Sequence, residues 1–227
     1  MKFIIDAGHG PETAGKQSPN GMREYEFNSS VAAFLTEKLL TLNGISVTHV
    51  HSDQRDIPLK TRTDQANKLK ANCYISIHAN AYGTGWNTAQ GIETYVYPSK
   101  PREAWELAKK IQDELIKATG RKNRGVKTAN FHVLRETEMT AVLIECGFMT
   151  NKEEADLLQT TAYRKLCAQA IFSALIEFYR LEWTEIPTTK ILYRVQAGAF
   201  TQYHSAEKLA KELKAKGFDS YITKTTE

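Results

Sequence analysis

The chain has 227 residues, 41% of them hydrophobic, so it is long enough to bury a sizeable core and too apolar to remain disordered. Its formal net charge of +4 is small for a nucleic-acid-binding protein, and we expect no nucleic-acid partner. No apolar run approaches the roughly 20 residues of a membrane-spanning helix, which excludes membrane insertion by such a helix. The amino terminus enters a strand-like run at once, so we expect synthesis in the cytoplasm without a signal peptide.

The elements follow an α/β pattern. Short β-branched runs alternate with longer segments whose apolar residues recur every three or four positions. This alternation predicts a mostly parallel, twisted sheet of about six strands flanked by helices. The expected strands are Lys2–Ala7, Ile45–His51, Cys73–Ala79, Gly91–Tyr97, a short one near Phe131–Leu134, and Thr140–Cys146. Three apolar helix faces lie between or after them: Val31 to Leu42 before Gly44, Leu107 to Leu115 before Gly120, and Tyr163 to Phe178.

The carboxyl-terminal part of the chain differs in composition. Residues 182–190 contain Pro187 and three threonines without apolar periodicity, which indicates a linker after a first domain of residues 1–181. Residues 191–227 predict a small βαβ-like unit, in which Leu209, Ala210 and Leu213 face inward from the helix.

The three cysteines predict buried thiols. Cys73, Cys146 and Cys167 are odd in number, far apart and embedded in apolar runs. This pattern favours free thiols over a disulfide framework and gives no sign of a cysteine metal site.

Polar residues stand where three buried strands give way to loops. His9 follows "FIID", His78 follows "CYISI" and Glu145 follows "TAVLI". Because the carboxyl ends of parallel strands share one edge of a sheet, we expect these side chains to converge in a crevice. A further carboxylate comes from the start of the first helix, where either Glu24 or Glu26 can point back toward the same place.

Two imidazoles and one carboxylate leave a fourth position open on a tetrahedral zinc ion, which is the arrangement of hydrolytic sites. A remaining carboxylate would then act as a base. For any single histidine, a hydrogen-bonded loop residue is the commoner interpretation. Glu145 is the most informative residue, because an ionised acid after so apolar a strand is costly unless it is paired or catalytic.

Taken together, these segments resemble the zinc-dependent N-acetylmuramoyl-L-alanine amidases of the amidase 3 type, which are bacterial autolysins and phage endolysins. The resemblance covers residues 1 to about 181. It implies that His9, Glu24 and His78 bind one zinc ion and that Glu145 is the catalytic acid and base. Glu24 is preferred over Glu26 because Asn28 follows it at the family's spacing. The motifs are "IIDAGHG", "EYEFN", "RTDQAN", "YISIHANA", "GIETYVY", "RGVK", "FHVLRET" and "AVLIECGFMTNKEEADLL".

The resemblance also implies the reaction, which is hydrolysis of the amide between N-acetylmuramic acid and L-alanine in peptidoglycan. Two other functions stay open at this stage. One is a zinc deacetylase or peptidase acting on another amide, and the other is a homologue that binds peptidoglycan without cutting it. Without a signal peptide, the enzyme is expected to reach the wall after phage lysis or mother-cell lysis.

Weaker expectations concern residues around the site. Asn80 is a candidate for substrate binding, with a turn cap as the alternative. Arg62 is a second candidate, with a structural salt bridge as the alternative. The segment "RKNRGVK", residues 121–127, has four cations and no acid, so it can meet peptide carboxylates or wall phosphates, or remain a solvated loop. The other histidines, His49, His51, His132 and His204, are expected outside the site.

The carboxyl-terminal unit resembles half of a SPOR domain, a peptidoglycan-binding module. A unit of so few residues is only marginally stable by itself. An unpaired strand edge is a surface for pairing with a second copy, which favours a homodimer through this unit. From Lys190 onward the tail holds seven basic and four acidic residues, a net charge of +3. Its aromatic residues are candidates for stacking on sugar rings, although buried aromatics are the commoner case. They are Tyr193, Phe200, Tyr203 and Tyr221.

Overall fold

In the computed structural model, which describes residues 1–14, 16–182 and 196–224, six strands and seven helices follow one another along those residues. They are β1 (Lys2–Ala7), α1 (Glu24–Leu39), β2 (Ser46–His49), α2 (Leu59–Lys68), β3 (Cys73–Asn80), β4 (Ile92–Val96), α3 (Arg102–Thr119), β5 (Asn123–Thr128), α4 (His132–Arg135), β6 (Thr140–Phe148), α5 (Lys152–Leu158), α6 (Thr161–Tyr179) and α7 (Tyr203–Ala215).

The strands form one sheet in the order β2-β1-β3-β6-β4-β5. Strands β1, β2, β3 and β6 run parallel, β4 runs antiparallel to β6, and β5 runs parallel to β4. The predicted α/β class with a mostly parallel sheet of about six strands is therefore confirmed. Because two strands are reversed, the starts of β4 and β5 lie at the sheet edge where the other four strands end.

The sheet is covered on both faces. Alternate residues of a strand point to opposite sides, so Phe3 and Ile5 belong to one core and Ile4 to another. The larger core includes residues of α1, α3 and α6, and the smaller one includes residues of α2 and α4. The three cysteines are free and buried, as predicted. No helix in the described ranges is long and apolar enough to cross a membrane.

The predicted strand near Phe131–Leu134 is wrong, because this segment begins the short helix α4. The N–H groups of Leu134 and Arg135 both donate to the carbonyl of Phe131, which closes a helical turn. The turn lets the adjacent residues Val133 and Leu134 pack into the same core, whereas a strand would point them to opposite faces.

A strand that the pattern did not predict, β5, lies in the basic segment instead. It is an edge strand whose residues are half-buried or exposed, so it lacks the apolar run that marks the central strands. Gly120 caps α3 in the left-handed conformation (φ 64°), as expected. Helix α1 ends at Leu39, earlier than the predicted stop, and Gly44 (φ 71°) lies in the turn that leads to β2.

The chain divides into two compact units, residues 1–185 and 186–227. In the second unit the predicted helix is present as α7, with Leu209, Ala210 and Leu213 half-buried. Residues 196–202 and 216–224 form no strand, so the described part of the unit is helix and loop. Tyr193 and nearly all of the predicted linker, residues 183–190, fall outside the described ranges.

A buried ion pair joins β1, β3 and α2. Nη1 of Arg62 donates to Oδ1 of Asp6 at 2.7 Å, and the two side chains are 2% and 1% exposed. Oδ2 of Asp6 accepts hydrogen bonds from the hydroxyls of Tyr74 (2.9 Å) and Ser76 (3.0 Å) in β3. Buried charges are tolerated when paired in this way, with their remaining polar atoms hydrogen-bonded.

The same arginine holds the backbone at the end of β1. Its guanidinium donates to the carbonyls of Ala7 (2.8 Å) and His9, and its Nε donates to the carbonyl of Ile57 at 2.9 Å. These hydrogen bonds fix the loop that leaves β1 to the start of α2.

We expect Arg62→Met to lower the free energy of unfolding by about 3–5 kcal/mol, because Asp6 would be left charged and unpaired inside the protein. The measurement is urea unfolding of the full chain followed by far-UV circular dichroism.

The matched control is Arg102→Met, since Arg102 pairs with Glu106 at the surface, where the side chains are 91% and 53% exposed. It should change stability by less than about 0.5 kcal/mol. Equal losses in the two variants would contradict a special role for the buried pair.

Candidate metal centre

Four side chains meet at the edge where β1, β3 and β6 end. His9 lies in the loop directly after β1, and His78 lies near the end of β3. Glu145 stands opposite His78 in the parallel register of β3 and β6. Glu24 is the first residue of α1, which enters the same edge. The convergence expected from a parallel arrangement of these strands is therefore present.

Glu24 joins the two histidines. Its Oε1 lies 2.9 Å from Nδ1 of His78, and its Oε2 lies 3.2 Å from Nε2 of His9. Oε1 also accepts from the N–H of Ala79 (3.2 Å) and from Nδ2 of Asn28 (3.2 Å), one helical turn away. Burial raises the pKa of Glu24, but the hydrogen bonds with His78 and His9 outweigh it and hold the pKa well below its usual value.

Glu26 lies outside this cluster. It is exposed, whereas Glu24 is 3% exposed, because two residues along a helix turn the side chain to the opposite face. Asn28 faces the site because it follows Glu24 by four positions, and its Nδ2 also donates to the carbonyl of Gly8 at 3.0 Å. Of the two acids left open by the sequence, the geometry brings Glu24 to the histidines.

The loop after β1 adopts an uncommon backbone conformation at the histidine itself. His9 has a φ of 62°, a left-handed conformation that costs free energy in a residue other than glycine and needs support from its surroundings. The neighbouring Gly8 makes room for the second histidine, since a Cβ there would lie 2.1 Å from Cε1 of His78. The glycine thus permits close approach of His78, where the sequence suggested close approach of a ligand.

His9, Glu24 and His78 form a group that could hold a metal ion. One ligand atom from each lies within 4.8 Å of the others. Burial lowers the pKa of His78, but its hydrogen bond to Glu24 outweighs this and raises it. Two imidazole nitrogens and one carboxylate oxygen are the donors of catalytic zinc sites, so the residues fit the ion that the resemblance implies.

Glu145 adds an unpaired carboxylate oxygen beside this group. Its Oε2 is buried and has no hydrogen-bond partner among the described residues. Burial raises the pKa of Glu145 to about 8. A buried carboxylate oxygen without a partner is unusual in a folded protein and is typical of sites that act on a ligand or water.

The two weaker candidates have structural partners. Arg62 is 2% exposed, and its side chain donates to Asp6 and to the carbonyls of Ala7, His9 and Ile57, so the structural salt bridge that was the alternative for this residue is present. Asn80 donates from Nδ2 to Oε1 of Glu93 (2.8 Å) and accepts at Oδ1 from the N–H of Ala81 (2.8 Å). Asn80 therefore links β3, which carries His78, to Glu93, a carboxylate on β4 that the sequence pattern did not reveal.

The sequence pattern also did not reveal two residues that hold His78 in position, Ser76 and Asp6. Nε2 of His78 lies 3.2 Å from the hydroxyl of Ser76, which in turn contacts Asp6. Ser76 is fully buried, and it precedes His78 by two residues on the strand, so both side chains lie on the same face. The spacing of two residues on one strand is the sequence signal from which Ser76 could have been found.

The remaining histidines lie outside the metal group within the described residues. Nδ1 of His51 accepts a hydrogen bond from the N–H of Ala7 at 2.9 Å, and burial lowers its pKa to about 4, which keeps the ring neutral. His49 stacks on His51 with ring centroids 4.7 Å apart. His132 contacts Thr63, and His204 is exposed on α7.

Comparison with known proteins gives the family. The profile of the N-acetylmuramoyl-L-alanine amidases matches residues 3–177, which include His9, Glu24, His78 and Glu145. The chain belongs to this family. A second profile, that of the SPOR domain, matches residues 185–227.

Relatives of this amidase cover both units. The N-acetylmuramoyl-L-alanine amidase CwlM of Bacillus licheniformis is 34% identical over 223 residues, which are 98% of this chain and 84% of that protein. The sporulation-specific N-acetylmuramoyl-L-alanine amidase of Bacillus subtilis (strain 168) matches with the same identity and coverage. The crystal structure of an N-acetylmuramoyl-L-alanine amidase from Clostridium difficile 630 superposes with a TM-score of 0.75 at 34% identity, over 79% of this chain and 96% of that one.

We expect Glu24→Gln to abolish zinc binding and Glu26→Gln to preserve it. Both acids lie in the first turn of α1, so each substitution removes a similar favourable interaction with the helix dipole. The measurement is the zinc content of the purified protein after dialysis, with circular dichroism to verify the helix. Equal loss of zinc in both variants would mean that helix integrity is being measured, and would contradict ligation by Glu24.

Proposed function

We propose that this amidase cleaves the bond between N-acetylmuramic acid and L-alanine with a zinc ion held by His9, Glu24 and His78. The observation that carries the proposal is the closeness of three ligand atoms, within 4.8 Å of one another, beside the unpaired buried oxygen of Glu145. The match to the amidase family supports the choice of bond.

Zinc, when bound, supplies a Lewis acid that polarises a carbonyl and makes water more acidic. The protein supplies side chains whose positions are already fixed by hydrogen bonds. Glu24 is held by Asn28 and the N–H of Ala79, and His78 is held by Ser76, so both side chains are oriented before a ligand arrives.

Glu145 performs the proton transfers. A cation bound at the neighbouring residues would favour the ionised form of Glu145, whose Oε2 accepts a proton from the attacking water as the water oxygen bonds to the lactyl carbonyl carbon. The same oxygen then delivers that proton to the nitrogen of L-alanine as the amide bond breaks. The products are a glycan with a free lactyl carboxyl group and a peptide with a free amino terminus. A single carboxylate is sufficient because the two transfers occur in succession.

The carboxyl-terminal unit is proposed to bind peptidoglycan. Its match to the SPOR domain supports this role, as does the exposure of three aromatic side chains available to stack on sugars. Phe200, Tyr203 and Tyr221 are 49%, 71% and 74% exposed. A homodimer through this unit finds no support in the described residues or the comparisons.

The setting is proposed from the substrate. A peptidoglycan amidase acts at the cell wall, and the sporulation-specific relative supports a role in sporulation.

The test of the activity is mass spectrometry of purified peptidoglycan after digestion. We expect free stem peptides with an L-alanine amino terminus, their loss in the presence of a strong chelator, and their return when zinc is added. Acetate as the product would favour a deacetylase, and an unchanged wall would favour a homologue that only binds.

The matched variant in this assay is Glu145→Gln, which keeps the shape of the side chain and removes its ability to accept a proton. It should retain zinc and lose at least about 100-fold in turnover. If it loses zinc as well, Glu145 is a ligand and its proposed role is wrong.

Removing residues 182–227 should leave zinc content and cleavage of soluble muropeptides unchanged and weaken sedimentation with insoluble peptidoglycan. The reason is that the four site residues lie in the first unit, whereas the SPOR match lies in the second. Unchanged sedimentation of the shortened chain would contradict the wall-binding role.

A further inference from the structure

The reversed strands β4 and β5 bring a second charged cluster to the edge of the sheet that carries the metal centre. Glu93 of β4 is the antiparallel partner of Glu145 in β6. Their Cα atoms are therefore about 5 Å apart. Glu93 is 2% exposed, and Asn80 connects it to the strand that carries His78. A group bound beside Glu93 would therefore lie close to Glu145.

Two cations share this one buried carboxylate. Nε of Arg124 and Nζ of Lys127 both donate to Oε2 of Glu93, while Oε1 accepts from Asn80 and from the hydroxyl of Tyr95. One acid neutralises only one of the two bases, so the cluster carries a surplus positive charge. Burial raises the pKa of Glu93, but its hydrogen bonds outweigh this and lower it, which keeps the acid ionised.

The two cations are held in place and still reach solvent. Arg124 is 29% exposed and Lys127 is 37% exposed. The guanidinium carbon of Arg124 lies 4.8 Å from the ring centroid of Phe148, which fixes its plane. Its Nη1 makes only a long contact of 3.4 Å with the carbonyl of Gln90, and its Nη2 has no hydrogen bond to any described residue. The outer N–H groups of the Arg124 guanidinium are thus free to bind an anion.

A local irregularity in β5 aims both cations at the same place. Ile92 pairs with Asn123 and Thr94 pairs with Val126, so β5 has one residue more than β4 across this interval. Such a bulge redirects side chains, and here Gly125 adopts a φ of 79° within it. As a result Arg124 and Lys127, three residues apart, reach the same carboxylate oxygen.

From this arrangement we infer that Arg124 and Lys127 form a subsite for a carboxylate of the stem peptide, on the L-alanine side of the scissile bond. The inference rests on the proposed function and deepens it. A planar guanidinium beside an ammonium group is suited to bind a carboxylate, because both groups can donate to it at once. The subsite lies beside Glu145, so its anion belongs to the part of the substrate next to the bond that is cut, which favours a carboxylate of the peptide over a wall phosphate.

The test compares two substrates with the full-length, zinc-loaded enzyme. They are N-acetylmuramoyl-L-alanyl-D-glutamate and the same compound with both carboxylates amidated. We expect kcat/KM to be at least about tenfold higher for the acid, since a charge-assisted hydrogen bond has at least that effect. Lys127→Gln and Arg124→Gln should each bring the ratio of acid to amide close to one.

Lys122→Gln is the matched control, because Lys122 is exposed in the same basic segment and makes the same change of charge. This variant should show the same ratio of kcat/KM for the acid to kcat/KM for the amide as the unchanged enzyme. Equal ratios in the Lys122 and Lys127 variants, or no preference for the acid in the unchanged enzyme, would overturn the inference.

A binding measurement separates this inference from the proposed reaction. Titration of the unchanged enzyme with L-alanyl-D-glutamate and with its diamide, followed by nuclear magnetic resonance, requires no turnover. We expect at least about tenfold tighter binding of the acid. If neither muramoyl substrate is cut, the proposed reaction is wrong, and the titration still decides for or against the carboxylate subsite.

Discussion

The buried pair of Asp6 and Arg62 is the constraint on which the site depends. Removing two charges from water is costly, and the cost is offset only if every remaining polar atom finds a partner. Here those partners are the hydroxyls of Tyr74 and Ser76 and the carbonyls of Ala7 and His9. Satisfying the pair therefore requires β1, β3 and α2 to take up one fixed arrangement.

That arrangement supports the strained backbone at His9. A left-handed histidine is costly by itself, but its carbonyl accepts from Arg62, and Asn28 holds the carbonyl of the preceding Gly8. The imidazole is thereby directed at Glu24, whose charge is stabilised by hydrogen bonds from both histidines. The three side chains that could hold a metal ion are thus oriented by the fold, so little of their conformational entropy remains to be lost when an ion binds.

Much of this could be predicted from the sequence because the central strands are continuous apolar runs that end in polar residues. His9, His78 and Glu145 were found by that signal. Strand β5 was not, because an edge strand made of "NRGVKT" has no apolar run to mark it. Phe131 to Leu134 was mistaken for a strand because its short apolar run does not distinguish a strand from a helical turn. The roles of Asp6 and Ser76 depend on contacts between distant elements, which a local pattern does not contain.

The antiparallel placement of β4 explains why the second carboxylate at this edge could not be foreseen. If every strand were parallel, Glu93 at the start of β4 would lie at the opposite edge from Glu145. Reversal of β4 and β5 instead places Glu93 beside Glu145, where a second free acid would disfavour ionisation of the first. Arg124 and Lys127 neutralise that charge and leave one positive charge over. The two carboxylates therefore have different roles, because one is paired with cations and the other has an oxygen without a partner.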